Sequence, residues 1–133
     1  MKIDRDAPVG VFDSGIGGLT VAREIMRNLP AEKIVYFGDT ARVPYGSKSK
    51  ETIIRYSRQI IRFLKEQKVK AIVVACNTAT SAAVRILREK YPDIPIVGIE
   101  PAVKPAMLFM KNPRVLVMAT PMTIREEKLK KLM

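Results

Sequence analysis

The chain has 133 residues, 47% of which are apolar, and a formal net charge of +11 at neutral pH. This length suits one ordinary domain with its own hydrophobic core. The sequence lacks the run of about 18 apolar residues that would predict a membrane span, and its N-terminus lacks the apolar segment of a signal peptide. Because a single cysteine cannot form an internal disulfide, we expect a free thiol and a cytoplasmic location.

The excess of lysine and arginine raises the question of a nucleic-acid partner. Along residues 49–70 the basic residues alternate with apolar ones, which is typical of a solvated helix face, so we expect no dedicated nucleic-acid role. The sequence has no histidine, which excludes a Ser-His-Asp or Cys-His pair built from this chain alone. With one cysteine and no histidine, no metal site is expected either.

The first half of the chain shows a repeated pattern of strand, loop and helix. Short apolar runs at 9–12 and 33–37 predict buried strands, with a helix at 19–29 between them. A polar loop follows the second strand, and Ser49 is the expected N-cap of the next helix. The predicted inner stripe of that helix consists of Ile53, Ser57, Ile60 and Leu64, with Ile54 and Ile61 beside them.

The second half continues the pattern. Residues 71–75 are apolar at every position, which predicts a strand covered on both faces and therefore a parallel sheet with helices on each side. We expect a last helix that starts near Thr120 to Thr123, where Thr123 and Glu126 match a capping box, and runs to residue 133. The other expected elements are a helix from 76–78 to 91, a strand at 95–99, a short helical stretch after 102 and a fifth strand at 114–118. The predicted fold class is α/β, with an open, mostly parallel sheet flanked by helices.

Three polar loops leave the carboxyl ends of predicted strands, where ligands bind in open α/β sheets. They begin at Asp13, Asp39 and Cys76. Because the three strands are expected to be neighbours, these loops can converge on one pocket. Tyr45 and Gly46 lie further along the second loop, where we expect them to shape the wall of the pocket.

Cys76 is the strongest candidate for chemistry, because it lies where a strand turns into a helix. A helix N-terminus supplies free N–H groups and a positive dipole end, and both favour a thiolate. We therefore predict a partly accessible thiol whose pKa lies below the free value of about 8.5. The alternative is that Cys76 is a small buried apolar residue, as most free cysteines are.

The polar residues around Cys76 each have a structural and a functional interpretation. Asn77 and Thr78 are suited to capping their helix, and equally to holding a carboxylate. Asp13 and Ser14 are suited to forming a turn, and an acid at a strand tip can also bind an ammonium group or assist proton transfer. Asp39 carries the same ambiguity.

The glycines after the first strand partly match a dinucleotide-binding fingerprint. Gly15 and Gly17 have the right spacing, but Thr20 stands where the third glycine or another small residue is required. Asp13 and Ser14 before the first glycine are not the usual form of the motif, and there is no Walker-type Gly-Lys-Ser/Thr. We expect no nucleotide cofactor.

Four segments together resemble the aspartate/glutamate racemase family, and within it the bacterial glutamate racemases. They lie at 11–21 (VFDSGIGGLTV), 37–46 (FGDTARVPYG), 75–79 (ACNTA) and 97–102 (VGIEPA). The resemblance covers essentially the whole chain in order and spacing. The related aspartate racemases share the Cys-Asn-Thr element but differ at the first glycine loop, so glutamate is the favoured substrate.

The resemblance implies cofactor-independent interconversion of L- and D-glutamate. In this family one cysteine thiolate removes the α-proton from one face of the amino acid, and a second thiol returns a proton to the other face. The resemblance makes Cys76 the first of these thiols. It also implies a supply of D-glutamate for peptidoglycan and a homodimer. The substrate contacts that it implies are Asp13, Ser14, Tyr45, Gly46, Asn77 and Thr78.

The family's second cysteine, in a Cys-Thr-His element, has no counterpart among these 133 residues. Family members have two similar α/β domains with the active site between them. We therefore expect residues 1–103 to form the first domain and residues 104–133 to begin a second, truncated one. Three alternatives stay open: an α/β module that binds an acidic amino acid without turning it over, another amino-acid racemase such as aspartate racemase, and a basic domain for nucleic acid.

Overall fold

A computed structural model of the chain describes residues 3–126 and 130–131, and its centre is a four-stranded parallel sheet. The strands are β1 (Val9–Asp13), β2 (Ile34–Gly38), β3 (Ala71–Val74) and β4 (Ile96–Gly98). They are arranged in the order β2-β1-β3-β4, and every neighbouring pair is parallel. The predicted open parallel sheet is confirmed.

Helices connect the strands and cover the sheet. Two of them, α2 and α3, pack against each other. In the described residues, no helix is long and apolar enough to cross a membrane. The helices are α1 (Leu19–Asn28), α2 (Lys50–Glu66), α3 (Asn77–Lys90), α4 (Val103–Leu108) and α5 (Pro121–Arg125).

The core lies between the sheet and the paired helices α2 and α3. The predicted inner stripe of α2 is confirmed, since all four of its residues and the adjacent Ile61 are buried, and Ile54 is partly buried. Ser49 is the N-cap of this helix, as predicted, and its hydroxyl accepts a hydrogen bond from the Thr52 N–H at 3.2 Å. Burying each large aliphatic side chain contributes about 1.5–3 kcal/mol, so this stripe is a principal source of stability.

The two faces of the sheet are covered unequally. In β3, Ile72 and Val74 are completely buried, whereas Ala71 and Val73 are only partly buried. In β4, Val97 is 52% exposed. The prediction that residues 71–75 are covered on both faces is therefore confirmed for the face of Ile72 and Val74. The opposite face is covered less completely, because Ala75 is buried there but Ala71 and Val73 are only partly buried. An apolar sequence shows which residues can be buried, but the amount of cover depends on the neighbouring elements.

The predicted fifth strand at 114–118 is wrong. These residues have no regular secondary structure and no strand partner within the described chain, and Leu116 and Met118 are 86% and 88% exposed. A strand is completed by hydrogen bonds to a neighbour, so apolar β-forming residues do not make one by themselves.

The last helix, α5, begins within the predicted range of Thr120 to Thr123, but the predicted capping box is wrong. The N-cap is Thr120 rather than Thr123, and the Thr120 hydroxyl accepts a hydrogen bond from the Thr123 N–H at 3.4 Å. Helix α5 ends at Arg125, because the backbone of Glu126 is extended and its carboxylate pairs with Lys50 at 3.4 Å. Residues 130–131 are helical again, so the prediction of one continuous helix is wrong at Glu126. Residues 127–129 and 132–133, into which the predicted helix would continue, lie outside the described residues.

Candidate functional site

A cleft of about 440 Å³ opens beside the carboxyl ends of β1 and β3. The parallel pairing of these strands places the loops that follow them side by side, as the sequence predicts. A carboxylate, several hydroxyl groups, a thiol and an amide line the cleft. The polar side chains that carry the argument are Asp13, Cys76, Asn77, Thr78, Thr120 and Thr123.

Asp13 is the last residue of β1, and its carboxylate organises the loop that follows. One oxygen, Oδ1, accepts the Ser14 N–H at 2.7 Å, and the other, Oδ2, accepts the Gly18 N–H at 2.8 Å. Asp13 is buried yet lines the cleft. The turn-forming interpretation and the site interpretation of Asp13 are therefore compatible, because each carboxylate oxygen has further lone pairs.

Cys76 is an unpaired thiol at the junction of β3 and α3, as predicted. It is the N-cap of α3, and its Sγ accepts a hydrogen bond from the Ala79 N–H at 3.3 Å. The thiol also donates to the Ser14 Oγ at 3.6 Å. The sulfur therefore lies between the helix N-terminus and the loop that carries Ser14.

The prediction of a partly accessible thiol with a lowered pKa is wrong. Cys76 is only 6% exposed, and burial raises the pKa of its thiol above the ordinary value. Hydrogen bonds from Ala79 and Ser14 act in the opposite direction but are weaker than the effect of burial. The sequence places the thiol at a helix N-terminus, but it does not show how completely the fold removes the thiol from water.

The residues after Cys76 also line the cleft. Asn77 is exposed and Thr78 is buried. Since Cys76 is the N-cap of the helix, capping does not account for Asn77 and Thr78. The Thr78 Oγ1 lies 2.8 Å from the Oγ1 of Thr120, within hydrogen-bond distance.

Sequence reasoning missed Thr120 and Thr123 as site residues. They begin α5, and their hydroxyl oxygens are 3.1 Å apart. Together with Thr78 they form a row of hydroxyl groups along the cleft. The signal was a Thr-Pro-Met-Thr segment (residues 120–123), but capping alone explained it from the sequence.

Tyr45, Gly46 and Asp39 lie behind the cleft rather than on its lining. Tyr45 is 1% exposed, and its hydroxyl donates to the buried carboxylate of Asp39. Burial and the neighbouring Asp39 raise the pKa of Tyr45 above its ordinary range. Gly46 contacts the row of hydroxyls, because a Cβ at this position would lie 2.6 Å from the Thr120 Cγ2.

Arg42 completes this buried group, and sequence reasoning missed it too. Its Nε donates to the Asp39 carboxylate at 2.7 Å, and its Nη1 donates to Gln59 of α2. The guanidinium also lies 3.9 Å from the ring centre of Tyr56. The loop that carries Tyr45 and Gly46 is thus attached to α2 through Arg42.

Among the described residues, no cluster of three His, Cys, Asp or Glu side chains could hold a metal ion.

Comparison with known proteins identifies the family. Residues 9–132 match the model of the Asp/Glu/Hydantoin racemase family, so the chain belongs to that family. The relatives whose sequences are similar to this chain are glutamate racemases. The one from Clostridium novyi (strain NT) is 52% identical over 126 residues, which are 95% of this chain and 49% of that protein. The one from Bifidobacterium adolescentis is 56% identical over 129 residues, which are 96% of this chain and 50% of that protein.

Solved structures of glutamate racemases share the fold. One from Bacillus anthracis superposes with a TM-score of 0.85 at 42% identity, covering 97% of this chain and 48% of that one. One from Francisella tularensis, in complex with D-glutamate, gives a TM-score of 0.77 at 42% identity, covering 96% of this chain and 48% of that one. The chain therefore spans about half the length of the relatives that it matches.

Proposed function

We propose that this chain forms the Cys76 side of a glutamate racemase, which interconverts L- and D-glutamate by proton transfer at the α-carbon. The observation that carries the proposal is the position of Cys76. Its sulfur lies at a polar cleft between Ser14 and the N-terminus of α3. The resemblance to glutamate racemases in both sequence and fold supports the choice of substrate class.

The groups around the sulfur suit an amino-acid substrate. The hydroxyls of Thr78 and Thr120 and the amide of Asn77 can donate hydrogen bonds to a carboxylate, and the N-terminus of α3 adds a positive dipole end. The carboxylate of Asp13 can accept hydrogen bonds from the substrate ammonium. These contacts would hold the α-carbon near Cys76, whose thiolate accepts the α-proton.

The thiolate has to form in spite of the burial that raises the pKa of Cys76. The Ala79 N–H already points at the sulfur, and the Ser14 hydroxyl can rotate to donate instead of accept. Both groups can stabilise the negative charge without a change in the backbone. Proton abstraction next to a carboxylate leaves a carbanion, so donors facing that carboxylate also favour the transition state.

Inversion needs an acid on the opposite side of the α-carbon. The 133 residues contain one cysteine and no histidine, so the second thiol of a two-cysteine mechanism is not among them. We infer that residues 1–103 form the first domain and that residues from 104 begin the second. The family resemblance further supports a cofactor-independent enzyme, homodimeric and cytoplasmic, that supplies D-glutamate for peptidoglycan.

The test combines binding with exchange of the α-proton. Weak binding of glutamate is expected in ligand-observed NMR, stronger than that of aspartate and lost in Thr78→Val, which keeps the shape and removes the hydroxyl. In D₂O, any loss of the α-proton signal should disappear in Cys76→Ser. Circular dichroism of L-glutamate should show no useful racemisation by the chain alone, because the opposite acid is absent.

The outcomes separate the alternatives. Equal binding of lysine and glutamate would contradict the proposed substrate, and preference for aspartate would favour an aspartate racemase. Racemisation that Cys76→Ser lacks would show that one thiol suffices. Binding without any α-proton exchange would favour the second candidate, an amino-acid-binding module. The raised pKa of the only thiol is the observation that keeps this candidate open.

A further inference from the structure

The loop between β1 and α1, residues 14–18, brings Ser14 against the sulfur of Cys76. We refer to these residues as the glycine loop, because three of the five are glycines. Asp13 anchors the loop at both ends through the N–H groups of Ser14 and Gly18. Local hydrogen bonds from Leu19 and Thr20 hold the carbonyls of residues 16 and 17, whereas the Gly15 carbonyl is held by a group distant in the chain.

That group is Tyr36 of β2. Its hydroxyl donates to the carbonyl oxygen of Gly15 at 3.0 Å. Tyr36 pairs with Val11 in the sheet, two residues before the strand end, and its ring extends along the sheet to reach the loop. The contact joins residues 21 positions apart, so a strand of the sheet holds the loop in addition to the local hydrogen bonds of its own sequence.

The shape of the loop depends on two close approaches around Tyr36. A Cβ at Gly38 would lie 2.7 Å from the Gly15 carbonyl oxygen and 3.2 Å from the Tyr36 Cε1. A Cβ at Gly18 would lie 3.0 Å from the Tyr36 hydroxyl. Side chains at either position would displace the loop from the tyrosine, so the packing around Tyr36 is specific.

We propose that Tyr36 is a positioning residue: by holding the Gly15 carbonyl it keeps Ser14 in hydrogen-bond contact with Cys76. Tyr36 acts through the adjacent peptide of the loop, and its hydroxyl donates to protein rather than to substrate. The inference rests on the proposed role of Cys76 as the proton-transfer thiol. The local sequence pattern does not indicate this role, because Tyr36 is one of five residues of a strand-forming run.

The protonation of Tyr36 fits this role. Burial raises the pKa of its hydroxyl, and the nearby Asp13 and Cys76 raise it further. These effects favour the protonated phenol, which is the form that donates to the Gly15 carbonyl.

The test is the pH dependence of alkylation of Cys76 by iodoacetamide. The chain has one cysteine, so the reaction reports this thiol alone. Tyr36→Phe removes the hydroxyl and keeps the ring. The hydroxyl and the backbone N–H of Ser14 both stabilise the thiolate. Releasing the loop should therefore raise the pH at the midpoint of the alkylation profile. One lost neutral hydrogen bond of ordinary strength corresponds to a shift of about 0.7 pH units.

A double-mutant cycle tests whether Tyr36 acts through Ser14. Ser14→Ala should raise the midpoint by itself, and Tyr36→Phe should add a smaller shift in that background than in the unmodified chain, because only the contribution of the backbone N–H of residue 14 is left to lose. The matched control is Tyr91→Phe, the same substitution on the C-cap residue of α3, which should leave the midpoint unchanged. An equal shift from Tyr36→Phe in both backgrounds would overturn the proposal.

Gly38→Ala provides a second perturbation, because it pushes on the Gly15 carbonyl while leaving Tyr36 intact. Far-UV circular dichroism establishes that each variant is folded. Midpoints that stay unchanged or fall in both Tyr36→Phe and Gly38→Ala would overturn the proposal. The measurement involves no glutamate, so its failure would leave the proposed racemisation standing, and failure of glutamate binding would not alter the thiol titration.

Discussion

Removing the charge of Asp39 is the sharpest stability test of the buried group behind the cleft. Asp39 is 5% exposed, and its Oδ2 accepts hydrogen bonds from both Arg42 and Tyr45. Asp39→Asn keeps the size of the side chain but leaves the guanidinium of Arg42 opposite a neutral amide. The substitution therefore tests the charge and not the packing.

The expected loss follows from these contacts. Hydrogen bonds to charged groups contribute about 1.5–3 kcal/mol each, and breaking a buried ion pair costs about 3–5 kcal/mol. The Arg42 side chain is 28% exposed, so water screens part of the loss. Asparagine can also keep one acceptor bond. We expect Asp39→Asn to lower the free energy of unfolding by about 2–3 kcal/mol.

The assay is urea denaturation followed by far-UV circular dichroism, since the chain has no tryptophan for fluorescence. The matched control is Asp93→Asn. Asp93 pairs with Lys65 at 2.6 Å, a geometry as short as that of Asp39 with Arg42, but its side chain is 48% exposed. The control should change stability little, because exposed pairs contribute little. Equal urea midpoints for the two variants would refute the argument that burial makes the Asp39 pair important.

Two further predictions concern Cys76 and Gly46. Because burial raises the pKa of Cys76, the thiol of the unfolded chain loses its proton at a lower pH than that of the folded chain. The contribution of the thiol to the free energy of unfolding should therefore be fully present below about pH 8.5 and fall as the pH rises beyond it. Urea midpoints between pH 8 and 10 should show this slope, and Cys76→Ser should reduce it; an unchanged slope would exclude the thiol as its source. Gly46→Ala places a methyl group 2.6 Å from the Thr120 Cγ2 and should cost about 1–3 kcal/mol in urea denaturation. Gly15→Ala, where the nearest side-chain atom would be 3.6 Å away, is its control, and a loss of equal size there would contradict the steric explanation.

The elements with a clear local pattern could be predicted from the sequence. The stripe of α2 and its Ser49 cap follow from helical spacing and from the hydrogen-bonding capacity of one hydroxyl, and both are local properties. The four strands were recognisable as short apolar runs followed by polar loops. Because the strands are parallel, the loops after β1 and β3 meet at one edge of the sheet. The presence of Asp13 and Cys76 at the same cleft could therefore also be inferred.

Tertiary structure decided what each of these groups can do. Cys76 lies at a helix N-terminus, as its sequence position indicates, but its pKa is set by the desolvation that only the packed fold produces. The position of Tyr45 in the sequence suits a pocket wall, but its hydroxyl donates a hydrogen bond to Asp39 behind that wall. Residues 114–118 are apolar enough for a strand and have no partner within the described chain. Burial and pairing depend on residues distant in the chain, and a local pattern contains no information about them.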